Sequence, residues 1–107
     1  QQISTLDVIS NQFESLDISA LISLKLLGCG DNNLLSLDLS NNIDLDYLHC
    51  NNTPLTTLDL SLNTKLKTVQ LQNSENLKMY RHYYKQVQTV YRYHFQFLFH
   101  QASSADQ

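Results

Sequence analysis

Hydrophobic residues recur along the first three quarters of the chain with a period of 21 residues and without an insertion. Five columns of equivalent positions carry the period: Leu16, Leu37 and Leu58; Ile18, Leu39 and Leu60; Leu24, Leu45 and Leu66; Leu6, Leu27, Leu48 and Val69; and Val8, Cys29, Cys50 and Leu71. A fixed period of this length indicates stacked repeats, because one unit cannot bury its own apolar edge and its neighbours must cover it.

Each unit contains the pattern L-x-x-L-x-L or L-x-x-L-x-C twice. Alternate residues of a strand face opposite sides, so the pattern predicts two short strands per coil with their apolar side chains inward. Coils stacked at the strand spacing of roughly 4.8 Å then form continuous columns of leucine. We expect about three and a half such coils over residues 3–77.

Short polar residues follow the predicted strands at fixed positions. They are Asn11, Asn32, Thr53 and Ser74 after one strand, and Asn42 and Asn63 after the other. Side chains of this kind hydrogen-bond the backbone groups of tight turns, and we expect a structural role for all of them. The sequence Asn51-Asn52-Thr53 also has the form of a glycosylation site, but the repeated turn explains it better.

The chain resembles a leucine-rich repeat protein, since Leu24-x-x-Leu27-x-Cys29-x-x-Asn32-x-Leu34 matches the characteristic segment of that family. The nested 21-residue form, in which LDLSxN alternates with LxCxxN, is similar to repeats of bacterial surface proteins, many from Bacteroidetes, and more loosely to the internalin-like type. The resemblance implies a right-handed, β-rich solenoid of short parallel strands. The chain departs from the pattern at Leu21, Thr53 and Ser74, where Asn is expected, and at Leu71, where Cys is expected.

The repeat pattern stops near Leu77, and eight of the ten aromatic residues follow it. From Val87 to His100 the residues alternate as in a half-buried strand. We therefore expect a repeat array over residues 1–77, a β-rich aromatic cap over the open end at 78–101, and a flexible tail at 102–107.

The aromatic strand has two other interpretations. An uncovered hydrophobic edge favours self-association through Val87–His100. Aromatic residues beside Lys85 and Arg92 also resemble a platform for stacking bases. The chain has a net charge of −3 and offers no wider basic groove, so we expect no nucleic-acid partner. It also has no apolar run long enough to span a membrane.

Cys29, Cys50 and His49 invite comparison with a metal site. In the predicted strand the cysteines point inward and His49 points outward, so the three cannot bind one ion. We expect buried free thiols, although the stacking of adjacent coils also permits a disulfide. The sequence predicts no metal site and no cofactor.

Asp17, Asp38 and Asp59 form a column of carboxylates roughly 5 Å apart if the coils stack directly. Solvent screening, hydrogen bonds from neighbouring turn N–H groups, or a cation such as Ca²⁺ would each relieve their repulsion. No nucleophile–base pair, glycine-rich phosphate loop or HExxH motif is present. We therefore predict no catalytic residues and a protein that is not an enzyme.

The candidate ligand-binding face consists of outward residues of the LxC strands: Leu26, Tyr47, His49, Thr68 and Gln70. The resemblance implies that this sheet lines the binding surface. It further implies a non-enzymatic binding module of a secreted or cell-surface bacterial protein that recognises protein or glycan. The alternative is a structural spacer with no ligand of its own.

Overall fold

The computed structural model describes residues 2–74, 76–77, 89–92 and 95–98, the last two ranges as backbone only. Its strands are β1 (Thr5–Asp7), β2 (Leu26–Gly28), β3 (Tyr47–His49), β4 (Thr68–Leu71), β5 (Thr89–Arg92) and β6 (Phe95–Leu98). They form one sheet in chain order, parallel from β1 to β5, with β6 antiparallel to β5. This architecture confirms the prediction of a leucine-rich solenoid of short parallel strands. None of the described residues belongs to a helix that is long and apolar enough to cross a membrane.

The register of the parallel strands repeats the 21-residue period of the sequence. Leu6 lies opposite Leu27, and Leu27 lies opposite Leu48. In β1–β4 the second residue points inward, with an outward residue on either side, and Leu27, Leu48 and Val69 are fully buried there. The strands are short because each 21-residue coil must also turn around the core and return to the sheet.

The core consists of the stacked columns that the sequence predicts. Its buried members are Ile18, Leu24, Leu27, Cys29, Leu34, Leu37, Leu39, Leu45, Leu48, Cys50, Leu55, Leu58, Leu60, Leu66, Val69, Leu71 and Leu77. Each fully buried leucine contributes roughly 1.5–3 kcal/mol relative to an exposed one, so these columns are the main source of stability.

The prediction of a second strand in each coil is wrong for the described residues. The Leu-Asp-Leu residues of the LDLS segments belong to no strand, and a turn begins at the following serine, Ser40 or Ser61. The exception nearby is a single bridge residue at Thr57. The carboxylate of Asp38 accepts the backbone N–H of Ser40 at 2.9 Å, and Asn42 N–H donates to the Leu39 carbonyl at 3.0 Å. Because these groups bond within the coil, they are not available to a ladder between coils.

Buried asparagines close the turns, as the sequence predicts, and they also join neighbouring coils, which the sequence did not predict. The Asn32 Nδ2 atom donates to the carbonyls of Cys29 and Gly30 in its own coil, and to that of Val8 in the preceding coil at 3.0 Å. Thr53 at the equivalent position is also buried and donates its hydroxyl to the Cys50 carbonyl. These bonds satisfy carbonyls that a narrow solenoid would otherwise leave unpaired.

A second column of polar residues lies just beyond the strands, where the backbone is left-handed. Ser10, Asp31, Asn52 and Asn73 have φ angles of 64°, 55°, 57° and 60°. Asn and Asp adopt this conformation more easily than other residues with a side chain. Their side chains bond along the column, with Asn52 Nδ2 2.7 Å from Asp31 Oδ1 and Asn73 Nδ2 2.6 Å from Asn52 Oδ1.

The parallel register continues one strand beyond Leu77. Val69 lies opposite Val90, and Leu71 lies opposite Arg92, again 21 residues apart. Where the sequence predicts one strand from Val87 to His100, the structure has β5 and β6. The predicted contacts of the aromatic cap and the predicted tail at 102–107 lie outside the described residues.

Candidate functional site

The five predicted face residues lie together on the outward side of β2, β3 and β4. Leu26, Tyr47 and Thr68 form one cross-strand row, and His49 and Gln70 form the next, beside Gly28. All five side chains are half-buried. The sheet thus presents an aromatic ring, an aliphatic chain, an imidazole, a hydroxyl and an amide on one continuous surface.

The core holds this face in place. Leu27, Leu48 and Val69, the central residues of the three strands, are fully buried, so their neighbours must point outward. The strands are joined to one another by backbone bonds, such as Cys29 N–H to the His49 carbonyl at 2.8 Å. The spacing of the face residues is therefore set by backbone that has little freedom to move.

The ring of His49 lies over Gly30 of the preceding coil. A Cβ atom at Gly30 would come within 2.9 Å of His49 Cε1 and 2.8 Å of the Asn51 carbonyl oxygen. The absence of a side chain at position 30 is therefore what leaves room for the ring. The Nδ1 atom of His49 is buried there without a hydrogen-bond partner among the described residues.

A polar network beyond the strands lies at the other side of the ring, and the sequence pattern did not predict it. Asn51 Nδ2 lies 3.3 Å from His49 Nε2 and 3.4 Å from Gln70 Oε1. Asn51 Oδ1 accepts the backbone N–H of Gln72 at 2.7 Å, which sets the orientation of the amide. Asn51 lies two residues past the end of β3, so continuing the alternation of outward residues would have placed it beside the face. The repeated turn pattern indicated a turn residue there instead.

Charged residues border the face where the strands begin. Lys25, Asp46 and Lys67 directly precede the three strands. Together with the Asp44–Lys65 ion pair, whose N–O distance is 2.7 Å, they line an open groove of about 450 Å³. The hydrogen bond and the charge of Lys65 lower the pKa of Asp44. The charges of Lys25, Asp46 and Lys67 therefore alternate in sign along the solenoid axis.

The two cysteines lie in the core behind the face. Cys29 Sγ is 3.2 Å from Cys50 Sγ, and both are free and fully buried. The hydrogen bond to Cys50 and burial raise the pKa of the Cys29 thiol far above its ordinary value. Free, buried thiols were predicted, and the structure confirms them. No group of three or more potential metal ligands occurs within the described part of the chain.

The aspartate column lies in the other half of each coil, where its carboxylates bond to the backbone. Asp17, Asp38 and Asp59 accept the N–H groups of Ser19, Ser40 and Ser61 at 3.0, 2.9 and 2.9 Å. Hydrogen bonds from the serine side chain and backbone lower the pKa values of Asp17 and Asp38, while the charge of Asp17 acts on Asp38 in the opposite direction. Of the three alternatives, the structure shows backbone bonding.

Comparison with solved structures relates this geometry to a known protein. The functional domain of InlJ from Listeria monocytogenes, which includes a cysteine ladder, superposes with a TM-score of 0.76 at 30% sequence identity. The match covers 80% of this chain and 19% of that chain, so this chain spans about a fifth of its neighbour. No protein-family model and no curated protein matches the sequence.

The chain has an internalin-like leucine-rich repeat fold. The narrower resemblance to the 21-residue repeats of Bacteroidetes surface proteins stays a prediction.

Proposed function

We propose that the chain is a non-enzymatic protein-binding module of a secreted or cell-surface bacterial protein. Its binding surface is the outward face of β2–β4, which contains Leu26, Tyr47, His49, Thr68 and Gln70. The similarity to an InlJ domain supports the bacterial assignment and the repeat module as its class.

The observation that carries the proposal is the row of Leu26, Tyr47 and Thr68 beside the row of His49 and Gln70. Tyrosine supplies a large contact area at a low cost in conformational entropy, and aromatic residues are enriched at protein interfaces. His49 is already held by Gly30 and Asn51, so binding does not have to order it.

The other exposed surface is chemically different. The outward residues of the LDLS segments are Ser15, Asp17, Ser36, Asp38, Thr57 and Asp59, all small or acidic and all exposed. None of these six side chains is an aromatic or aliphatic anchor, and the exposed aliphatic residues beside them are Leu35 and Leu62. We regard the strand face as the better binding surface because it combines an aromatic ring with an aliphatic chain on adjacent strands.

The experiment is a binding screen of the intact chain against arrays of purified extracellular proteins and of glycans. The test variant is Tyr47→Ala/His49→Ala, and the matched control is Ser36→Ala/Thr57→Ala on the other surface. Circular dichroism and thermal unfolding verify that both variants are folded. The proposal predicts protein ligands that the test variant loses and the control retains.

Two results would contradict the proposal. Ligands that bind the test variant as well as the wild type would place recognition on another surface. A folded wild type that binds nothing on either array would favour the structural spacer. Ligands that are found only on the glycan array and are lost in the test variant would leave the binding surface as proposed, but would show that its partners are glycans and not proteins.

A further inference from the structure

A row of exposed aliphatic residues runs along the solenoid at the turns that lead from the LDLS half of each coil into the next strand. Its members are Ile22, Ile43 and Leu62, whose exposed fractions are 64%, 54% and 55%. Ile22 and Ile43 occupy the same repeat position on neighbouring coils, and Leu62 lies in the turn of the following coil. We call these three residues the turn ridge. Ile43 is exposed although described coils lie on both sides of it, so its exposure does not depend on where the chain begins or ends.

Neither burial nor turn chemistry explains an isoleucine at position 43. Asn42 N–H donates to the Leu39 carbonyl, and Leu45 N–H donates to the Asn42 carbonyl, so the coil makes two consecutive turns here. Asn42 and Leu45 are fully buried, while Ile43 between them points to solvent. Turns of this kind favour Gly, Pro, Asn, Asp and Ser. Neighbouring exposed aliphatic residues without a role in folding are typical of an interaction surface.

The two sides of the turn ridge differ in charge. On the LDLS side, Leu62 lines a groove of about 80 Å³ whose charged residues are Asp38 and Asp59, and we call it the acidic groove. On the strand side is the groove of about 450 Å³ described above, which is also lined by Thr64, the repeat equivalent of Ile43. Its charged residues are Lys25, Lys65, Lys67, Asp44 and Asp46, and we call it the lysine groove. The ridge therefore separates a groove of negative charge from one in which lysines outnumber aspartates.

We propose that the turn ridge is the contact between two copies of this chain, packed side by side with their solenoid axes parallel. A twofold axis parallel to the solenoid axes relates the copies, so the ridge of one copy packs against the same ridge of its partner. The rotation places the acidic groove of each copy against the lysine groove of the other. Because the surface is complementary to itself, the assembly stops at a dimer. This contact goes beyond the proposed ligand binding, since it uses none of the outward residues of β2–β4.

The charges beside the ridge favour the parallel arrangement. Asp17 and Lys25 are both exposed and lie on opposite sides of Ile22 along the chain, so the rotation brings Asp17 of one copy to the partner's Lys25. The same relation holds in each coil and gives three kinds of pair, of which the first two are attractive: Asp17 with Lys25, Asp59 with Lys67, and Asp38 with Asp46. An antiparallel arrangement would set the two acidic grooves against each other, and like charges repel.

Sedimentation velocity of the intact chain over a wide concentration range tests the proposal, which predicts a monomer–dimer equilibrium without larger species. Ile43→Ser should weaken the dimer by about tenfold or more, because each dimer loses two aliphatic side chains from the contact. Leu35→Ser is the matched control and should leave the dimer unchanged. Leu35 is 60% exposed on the same coil, but it precedes the LDLS segment and lies outside the ridge. Circular dichroism and thermal unfolding check that both variants are folded.

An exchange of charges between copies tests the orientation. Asp17→Lys and Lys25→Glu should each weaken the dimer roughly fivefold or more, because two attractive pairs per dimer become repulsive. An equimolar mixture of the two variants should form mainly heterodimers, measured by native mass spectrometry, because opposite charges then meet at both pairs.

Three results would overturn the proposal. The first is a chain that stays monomeric at high micromolar concentration, or one that grows beyond a dimer. The second is a dimer that Ile43→Ser and Leu35→Ser affect equally. The third is a mixture of the two charge variants with no preference for the heterodimer, which would show that Asp17 and Lys25 do not meet across the contact.

Discussion

The Nδ2 atom of Asn42 lies 3.0 Å from the carbonyl oxygen of Ile18, a residue of the preceding coil. The same Nδ2 atom donates to the Leu21 carbonyl at 2.9 Å. One coil later, Asn63 makes the equivalent bonds to the carbonyls of Leu39 and Asn42. A single buried amide thus bonds the turn of one coil to the turn of the next, in the half of the coil that has almost no ladder bonds.

We predict that Asn42→Ala lowers the free energy of unfolding by about 2–3 kcal/mol, because two carbonyls at a buried turn lose their donor. Asn33→Ala is the matched control, since Asn33 is exposed. We expect it to change the free energy by less than about 0.5 kcal/mol. Urea unfolding followed by circular dichroism measures both. Equal losses in the two variants would show that the amide of Asn42 does not join the coils.

Gly30→Ala should be destabilising by about 1–3 kcal/mol, because the new methyl group meets the Asn51 carbonyl and displaces the ring of His49. Gly28→Ala is the control. Its methyl group would meet the ends of the Ile9 and Asp7 side chains, which can move, so we expect a change within about 0.5 kcal/mol. Thermal unfolding gives the stabilities, and the NMR signals of the His49 ring should shift in Gly30→Ala alone. An unshifted ring would contradict the contact.

The thiols of Cys29 and Cys50 should resist modification in the folded chain. Both are fully buried, and the raised pKa of Cys29 keeps its thiol protonated. Reaction with a disulfide reagent such as dithionitrobenzoate should be slow in buffer and complete in concentrated denaturant. Rapid release of the coloured product from the folded protein would mean that the thiols are accessible or ionised.

Stability should fall as the pH is lowered into the acid range. Hydrogen bonds from serine hold the folded-state pKa values of Asp17 and Asp38 below the ordinary value of 3.8. Their contribution is therefore present above that value and is lost as the pH falls through the lower folded-state pKa. Urea unfolding between about pH 6 and about pH 2.5 should show this slope, and Asp17→Asn/Asp38→Asn should flatten it. An unchanged slope in the double variant would contradict the assignment.

The 21-residue period predicted most of the fold, because leucines at fixed repeat positions are buried when successive repeats stack as coils. It predicted the inward columns, the stacked free cysteines and the residues on the outward side of β2–β4, although their side chains are half-buried where exposed ones were expected. It did not predict that the LDLS segments lie outside any strand, since Leu37 and Leu39 have the same alternation as a strand. The deciding contacts are bonds such as that from Ser40 N–H to the Asp38 carboxylate, which alternation does not reveal.

The sequence predicted the strand residues of the candidate site, but not Gly30 and Asn51, which contact them. Tyr47, His49 and Gln70 follow from counting outward from buried leucines. The role of Gly30 depends on how the His49 ring packs across coils, and that of Asn51 depends on its side-chain orientation. The Gly30–His49 and Asn51–Gln70 contacts join residues 19 positions apart, on neighbouring coils. The Asn51–His49 contact is local, but alternation gives only the side of the sheet on which Asn51 lies and not the partners of its amide.

The most direct test of the account is an alanine scan of affinity for a protein ligand found on the array. Single substitutions at Tyr47, His49 and Gln70 are compared with Ser15, Ser36 and Thr57 by surface plasmon resonance, after each variant has been shown to be folded. The account predicts that Tyr47→Ala weakens binding by about tenfold or more, as at an interface hot spot, while the second group binds like the wild type. Losses confined to the second group would contradict it.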